Sequence, residues 1–455
     1  MKRIVVIGAS AAGMMAAISA AKQNPRAEVT VVTGDRVPYR RPAIPALIAG
    51  FITEPADAKI CSRETLAKHN IKLICPAEVT NIDPKNKTVS ILSEGKEEKL
   101  SYDSAVLAVG ASPLIPKIKG SDKKRVCTFT TYEAAAEIVE AAKNAKTAVV
   151  IGAGFIALEI AEALMHKGLD VYFNVRSRIL RKLLEPDISD FLTTKFEQRG
   201  LKMLIGEEIS EIGGIDRVEY VVHKGAKIAA DLVVIGTGVK PNVALAEKCG
   251  IELGPTGAIK VDDHLQTSVS DIYAAGDCAE SPDLDTGKFV YSPVGSIGAS
   301  AGKIAGANAA GANQQSKGFL RAQADEILGF QIFSIGHSTT TAKEVGLKVK
   351  VHDLSVPKSS IKNSAANSFE AAKILTDPDD KIVGAQLVAK KHGSQFAWQL
   401  YKAVLETEDR EEFLQRFNSP RAKFTEALVH AIKSAVVVKA AGTEQVLALA
   451  EKNTN

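Results

Sequence analysis

The chain has 455 residues, a length that suggests about three domains. With 45% hydrophobic and 24% charged residues it has the make-up of a folded globular protein, which excludes a disordered chain, a disulfide-stapled mini-protein and a collagen. The formal net charge of +4 is mild and the basic residues are spread out, which speaks against nucleic acid as a partner.

No apolar run is long enough to cross a bilayer, and Met1-Lys2-Arg3-Ile4-Val5-Val6 leads straight into a strand rather than a secretion signal. A cytoplasmic protein is therefore expected. The five cysteines, Cys61, Cys75, Cys127, Cys249 and Cys278, form no CxxC pair and read as ordinary reduced thiols.

Lys2 to Ile7 predicts a buried strand. The turn Gly8-Ala9-Ser10-Ala11-Ala12-Gly13 follows, then an alanine-rich helix from Met14 to about Lys22, stopped by Asn24 and Pro25. Glu28 to Thr33 predicts the return strand, which makes a βαβ start around a Gly-rich turn. The arrangement recurs, with a strand at Thr147 to Ile151, the turn Gly152-Ala153-Gly154-Phe155-Ile156-Ala157, a helix at Leu158 to His166 and a strand at Asp170 to Asn174. A parallel return needs the crossover helix, so both sheets should be parallel.

From about Gly329 the pattern changes. Strands are expected at Gln331 to Gly336, Leu347 to Asp353, Glu370 to Thr376 and Ile382 to Val388, with Asp377-Pro378-Asp379-Asp380 as a turn. Helices are expected around Gln395 to Glu406 and Phe424 to Val437, then a helical or frayed tail over 440–455. Strands followed by helices suggest an α+β third domain.

The glycines explain what the two turns could do. Gly8 lets the chain turn sharply, the small Ser10 lets backbone approach a pyrophosphate, and Gly13 lets the helix sit close to the sheet. The phosphates would then rest on free N–H groups at the helix start, beginning at Ala11. Ser10 stands where a second glycine is usual, whereas Gly152 and Gly154 are both present in the later turn. Thr33 and Asp35 are placed to meet a ribose. The matching place in the second unit holds Asn174, not an acid, followed by Arg176, Arg178 and Arg181. A neutral residue near arginines can accept a 2′-phosphate, but a solvated basic helix start explains them equally well, so NADH against NADPH stays open.

Three further segments carry a family resemblance. Tyr102-Asp103-Ser104-Ala105-Val106-Leu107-Ala108-Val109-Gly110-Ala111-Ser112-Pro113 resembles the crossover segment of two-dinucleotide flavoproteins, and Val234-Ile235-Gly236-Thr237-Gly238-Val239-Lys240-Pro241-Asn242 its later counterpart. Thr267-Ser268-Val269-Ser270-Asp271-Ile272-Tyr273-Ala274-Ala275-Gly276-Asp277 resembles the second FAD signature, in which the Asp accepts a hydrogen bond from a ribityl hydroxyl. The chain thus resembles the pyridine nucleotide–disulfide oxidoreductase superfamily over nearly its whole length. Lys381-Ile382-Val383-Gly384-Ala385-Gln386-Leu387-Val388 and Phe417-Asn418-Ser419-Pro420-Arg421-Ala422-Lys423-Phe424 resemble the interface domain of its coenzyme A-disulfide reductase, persulfide reductase and NADH oxidase branch.

The resemblance implies an α/β fold with two Rossmann-like domains, for FAD and NAD(P), and a C-terminal α+β dimerisation domain. It places FAD on 1–114 and 243–322, the nicotinamide on 115–242, and pairing of a homodimer on 323–455. Gly8, Ser10, Ala11, Gly13, Thr33, Asp35, Arg41, Ala108, Val109, Gly110, Gly276 and Asp277 would then serve FAD. Gly152, Gly154, Phe155, Ile156, Asn174, Arg176 and Gly238 would serve the nicotinamide.

That branch carries a redox cysteine in a segment reading aromatic-x-Asn-Cys-Gly-Leu-Pro. Here the segment reads Tyr39-Arg40-Arg41-Pro42-Ala43-Ile44-Pro45, with Pro42 at the cysteine position. Proline has no nucleophile, so disulfide chemistry cannot run from there. Pro38-Tyr39-Arg40-Arg41-Pro42 also resembles the Pro-Tyr-x-Arg-Pro segment of ferredoxin and rubredoxin reductases.

The expected enzyme passes hydride from NAD(P)H to FAD and electrons on to a persulfide, a polysulfide, a coenzyme A disulfide or oxygen, with coenzyme A itself a further candidate ligand. The alternatives are a rubredoxin or ferredoxin reductase-like protein, or a flavin redox sensor with little turnover. Glu159, one residue into the second-unit helix, is a candidate positioning group near the flavin, and no metal is expected. Tyr39, Arg41 and Pro42 would line the acceptor side, with Arg40 and a partner's copy of Phe424 meeting an anionic substrate.

Overall fold

Strand Arg3–Ile7 (β1) is apolar and buried from Ile4 onward, which a strand covered on both faces requires. Helix Ala11–Gln23 (α1) follows and the chain returns in Glu28–Val32 (β2), parallel to β1 with Arg3 opposite Glu28 and Ile7 opposite Val32. The computed structural model describes residues 1–354, 369–390 and 393–417. In it Met1–Ala43, Thr53–Ser112 and Val239–Leu320 form one compact unit; Ile44–Ile52, Pro113–Gly238 and the described residues from Arg321 onward form another.

The first unit is built on a five-stranded parallel sheet in the order Ile272–Ala274, Ser104–Leu107, β1, β2, Ile71–Ile74. Strands Glu78–Asp83, Thr88–Ser93 and Lys96–Ser101 form a separate antiparallel meander. Helix Gly295–Ala309 packs against α1 at very short range. A Cβ on Gly302 would stand 2.2 Å from the Ala12 carbonyl oxygen, and one on Gly306 2.0 Å from that of Ala16. Only glycine admits this approach.

The second unit repeats the plan with Thr147–Gly152 (β3), Phe155–His166 (α2) and Asp170–Val175 (β4). Its parallel sheet runs Lys202–Ile205, β4, β3, Leu232–Gly236, Val126–Cys127. The same unit holds a five-stranded antiparallel sheet ordered Ala322–Ile327, Phe330–Gly336, Ile382–Ala389, Phe369–Thr376, Lys350–Asp353. Helix Gly393–Leu405 follows it. Segment 44–52 packs here too, with the Phe51 and His166 rings 4.9 Å apart.

The expected α/β class with two Rossmann-like sheets stands, and several boundaries move. Both dinucleotide helices start three residues before the expected Met14 and Leu158, at Ala11 and Phe155. The last residues of each Gly-rich turn are already the first helical turn, so Glu159 lies in the second turn of α2 rather than one residue in. The strand expected from Leu347 starts at Lys350, because helix Thr339–Val345 ends on a left-handed Gly346. Strand Ala322–Ile327 and helix Arg410–Phe417 were not expected. Asp377 does head a turn, its side chain accepting from the N–H groups of Asp379 and Lys381, both at 2.9 Å. The helix expected at Phe424 to Val437, the tail and Phe424 itself lie outside the described residues. Among the described residues no helix is long and apolar enough to cross a membrane.

Candidate functional site

The two Gly-rich turns share one steric device. A Cβ on Gly8 would lie 2.2 Å from the carbonyl oxygen of Ala108, and one on Gly152 2.4 Å from that of Gly236. In each unit the first glycine therefore presses on the neighbouring crossover strand. Gly8 has φ +105° and its N–H donates to Val32 at 2.8 Å, which turns the chain off the end of β1. A Cβ on Gly13 would stand 1.9 Å from the Gly8 oxygen, so α1 folds back onto its own turn.

Neither helix start is closed by a side chain. Ser10 and Gly154 sit at the N-cap positions in extended conformations, and neither makes a side-chain capping bond. A Cβ on Gly154 would meet nothing within 4 Å, so the space before α2 is open. Phe155 is half-buried, Ile156 is 49% exposed, and Glu159 is half-buried. N-terminal N–H groups facing open space fit a pyrophosphate in both units.

Some polar atoms of the first unit, Ser104 Oγ among them, are buried without the protein partner that burial normally demands. The Tyr291 hydroxyl and the Arg40 Nε are buried without a hydrogen bond, and burial holds the Arg40 guanidinium below its ordinary value. Burial also pushes the Asp277 carboxyl up to about 6, following Gly276 at φ +80°. A flavin dinucleotide offers hydroxyls to Asp277, so that carboxyl fits the group, while the Arg40 Nε is free for an anion. Tyr291 has no recognisable sequence signature and was not among the expected residues.

Asp35, Tyr39 and Arg41 come together. Arg41 Nη2 donates to both Asp35 oxygens at 3.1 and 2.9 Å, and Nη1 donates to the Tyr39 hydroxyl. Its guanidinium carbon lies 4.7 Å from the Tyr39 ring centre. Arg41 thus meets a carboxylate, and Arg40 alone of the pair has an unanswered donor. The Asp35 N–H donates to Thr33 Oγ1 at 3.3 Å. Pro42 is exposed in the single turn Arg41–Ala43, just before helix Ile44–Ala49.

The crossover segments are locked. Asn242 donates through Nδ2 to the Val109 oxygen at 2.9 Å and through its backbone to Gly110 at 3.0 Å. In the second unit, Leu114 donates to the Gly238 oxygen at 2.9 Å. Asn174 is buried, and its amide donates to the carbonyls of Leu204 and Glu207 at 3.1 and 2.9 Å. Arg176 is exposed beside Glu208, 3.2 Å away.

Four of the five thiols are held back by burial. Burial pushes Cys61 and Cys249 up, and Cys127 and Cys278 up to about 11. A reactive cysteine needs the opposite shift.

Residues 2–294 match the family model described as pyridine nucleotide-disulphide oxidoreductase. The chain is 36% identical over 353 residues to the CoA-dependent NAD(P)H sulfur oxidoreductase of Pyrococcus furiosus, covering 77% of this chain and 79% of that protein. An NAD-dependent persulfide reductase from A. fulgidus superposes with a TM-score of 0.85 at 31% identity, covering 95% of this chain and 83% of the other. An engineered water-forming NADPH oxidase bound to NADPH superposes at 0.81 with 26% identity, covering 96% and 99%. In that protein a glycine is changed to alanine and, 18 residues on, an Asp-Ala-Met triplet to Ala-Arg-Ser.

Proposed function

The chain belongs to the pyridine nucleotide-disulphide oxidoreductase family, and we propose that it is an FAD-dependent NAD(P)H oxidoreductase that reduces a small sulfur acceptor or oxygen without a thiol relay. The observation that carries this reading is the duplicated cradle, Gly8 against Ala108 and Gly152 against Gly236, each before an uncapped helix start. Bound FAD would supply hydride acceptance and two-electron transfer. The chain's own residues place it. Gly8, Ser10, Ala11 and Gly13 receive its pyrophosphate, Asp277 accepts from a ribityl hydroxyl, and Asp35, held by Arg41, meets the adenosine ribose. In the second unit Gly152, Gly154, Phe155 and Ile156 seat the nicotinamide dinucleotide, and Glu159 is the candidate for positioning groups near the flavin.

We assign FAD to 1–114 and 243–322, the nicotinamide to 115–242, and subunit pairing in a homodimer to 323–455, with a partner's Phe424 completing the acceptor side. A persulfide R–S–SH taking two electrons and two protons would leave as R–SH and hydrogen sulfide. Arg40, its Nε unanswered by protein, suits such an anion or a coenzyme A disulfide. Pro42 at the cysteine position and four thiols pushed upward support direct transfer from flavin to acceptor. The electron-transfer alternative has a relative on its side, an assimilatory nitrate reductase electron transfer subunit of Bacillus subtilis at 34% identity, but that match spans only 61% of this chain and 36% of that protein, whereas the oxidase and sulfur oxidoreductases match over most of their length.

Anaerobic titration tests the reading. Full bleaching of the flavin should take one equivalent of NAD(P)H per FAD, because no second redox centre stores electrons. Re-oxidation should follow with polysulfide, coenzyme A disulfide or oxygen. Two equivalents per flavin would reveal a redox-active thiol and defeat the proposal. So would a purified protein that binds no flavin.

A further inference from the structure

The loop after β4 is fixed to an unusual degree for a basic surface segment. The Leu180 N–H donates to the Ala153 oxygen at 2.6 Å, which ties the loop to the second Gly-rich turn. Arg178 Nη2 reaches back to the carbonyls of Arg181 and Leu184 at 3.0 and 3.3 Å. From the antiparallel sheet side, the Ser334 and Ser338 hydroxyls donate to Leu183 and Lys182, each at 2.8 Å. These bonds use backbone carbonyls, so they hold the loop's shape whatever its exposed side chains do.

The side chains then divide into two jobs. Arg178 directs Nη2 to carbonyls inside the loop and acts as a positioning residue, although its buried Nε has no partner. Asn174 is turned to the carbonyls of Leu204 and Glu207. The last residue of β4, one beyond the Asn174 at which the sequence placed the ribose position, is the buried, uncharged Val175; an acid at either place would repel a phosphate. Arg176, Ser177 and Arg181 are exposed donors, and the first two directly follow β4. The Arg176–Glu208 pair is 59% and 61% exposed, and such surface pairs are held weakly. A phosphate dianion offers Arg176 a bidentate partner of higher charge than Glu208 does. The spacing agrees with the engineered NADPH oxidase: Ala157 precedes Val175-Arg176-Ser177 by the same 18 residues that separate the substituted positions there.

We propose that the loop following β4 is a pre-formed 2′-phosphate site, with Arg176 and Ser177 as its ligands, so that the nicotinamide taken by this chain is NADPH in preference to NADH. Glu208 is a built-in competitor for Arg176 that tempers the preference. This rests on the oxidoreductase reading above, since it assumes a dinucleotide on the second unit.

Calorimetric titration of the flavin-loaded protein with NADP+ and with NAD+ reads it directly, independent of turnover. NADP+ should bind tighter by about ten-fold or more, as a charge-assisted bidentate contact supplies. The gap should narrow in high salt and below pH of about 6, where the phosphate takes up its second proton. Arg176→Gln should weaken NADP+ by about the same factor and leave NAD+ within about two-fold, while Glu208→Gln should tighten NADP+ alone. Equal or tighter binding of NAD+, or an Arg176→Gln loss shared equally by both, overturns the 2′-phosphate site and leaves the oxidoreductase reading standing. Flavin-loaded protein that binds neither dinucleotide overturns both.

Discussion

Burial raises Asp277 to about 6, above the ordinary value of a carboxyl. A carboxyl raised in the folded state favours folding while protonated, so its contribution is intact below about pH 4. That contribution drains away as the pH climbs from there through about 6. Asp277→Asn should therefore stabilise the flavin-free protein at pH 7, by on the order of 2 kcal/mol, with the gain closing toward pH 4 in thermal melts. The same change should weaken FAD, because an amide oxygen is a poorer acceptor than a carboxylate. Opposite signs for stability and cofactor affinity are the mark of a group kept for its ligand. The sequence singled out Asp277 through its Gly-Asp signature. It was silent on Tyr291 and on the orphaned Nε of Arg40, because whether a donor finds a partner depends on residues distant in the chain.

Helix Gly295–Ala309 and α1 approach so closely that Gly302 and Gly306 face the carbonyls of Ala12 and Ala16. Gly306→Val would force the two helices apart just behind the first phosphate turn. It should cost about 1–3 kcal/mol from overpacking and lower the FAD content of the purified protein. Thermal unfolding and flavin absorbance check both effects. The strands around β1 and β3 were legible because both faces are covered and the residues are uniformly apolar. Strand Ala322–Ile327 was not, since its half-buried Ala-Gln-Ala-Asp-Glu-Ile shows no alternation and is defined by pairing with Phe330–Gly336. The early starts of α1 and α2 have a similar origin. Gly13 reads as a helix breaker in sequence, yet inside α1 it is required by the 1.9 Å approach to Gly8.

Across the whole molecule, buried thiols and Pro42 imply an enzyme indifferent to thiol reagents. After anaerobic reduction with NAD(P)H and treatment with iodoacetamide, turnover with polysulfide should be retained. Cys75, which is half-exposed, can be labelled without loss. Inactivation matched to one modified cysteine would restore a thiol relay. Ser334 and Gln386 of the antiparallel sheet and Ser338 just beyond it bond to the segment 182–185, so the C-terminal part shapes the loop after β4 in its own unit. Nothing local in 176–185 announces those bonds.

The amino-acid order alone determined the two βαβ units, their Gly-rich turns, the Gly276-Asp277 pair and the Tyr39-Arg40-Arg41-Pro42 segment, because each is written in neighbouring residues. The tertiary fold decided what those residues are free to do. Hydrogen bonds engage Arg41 and Asn174, while Arg40, Arg178 and Tyr291 keep unanswered polar atoms and Arg176 only a surface partner. A side chain's availability depends on which distant donors and acceptors packing brings beside it, and that information lies in three dimensions.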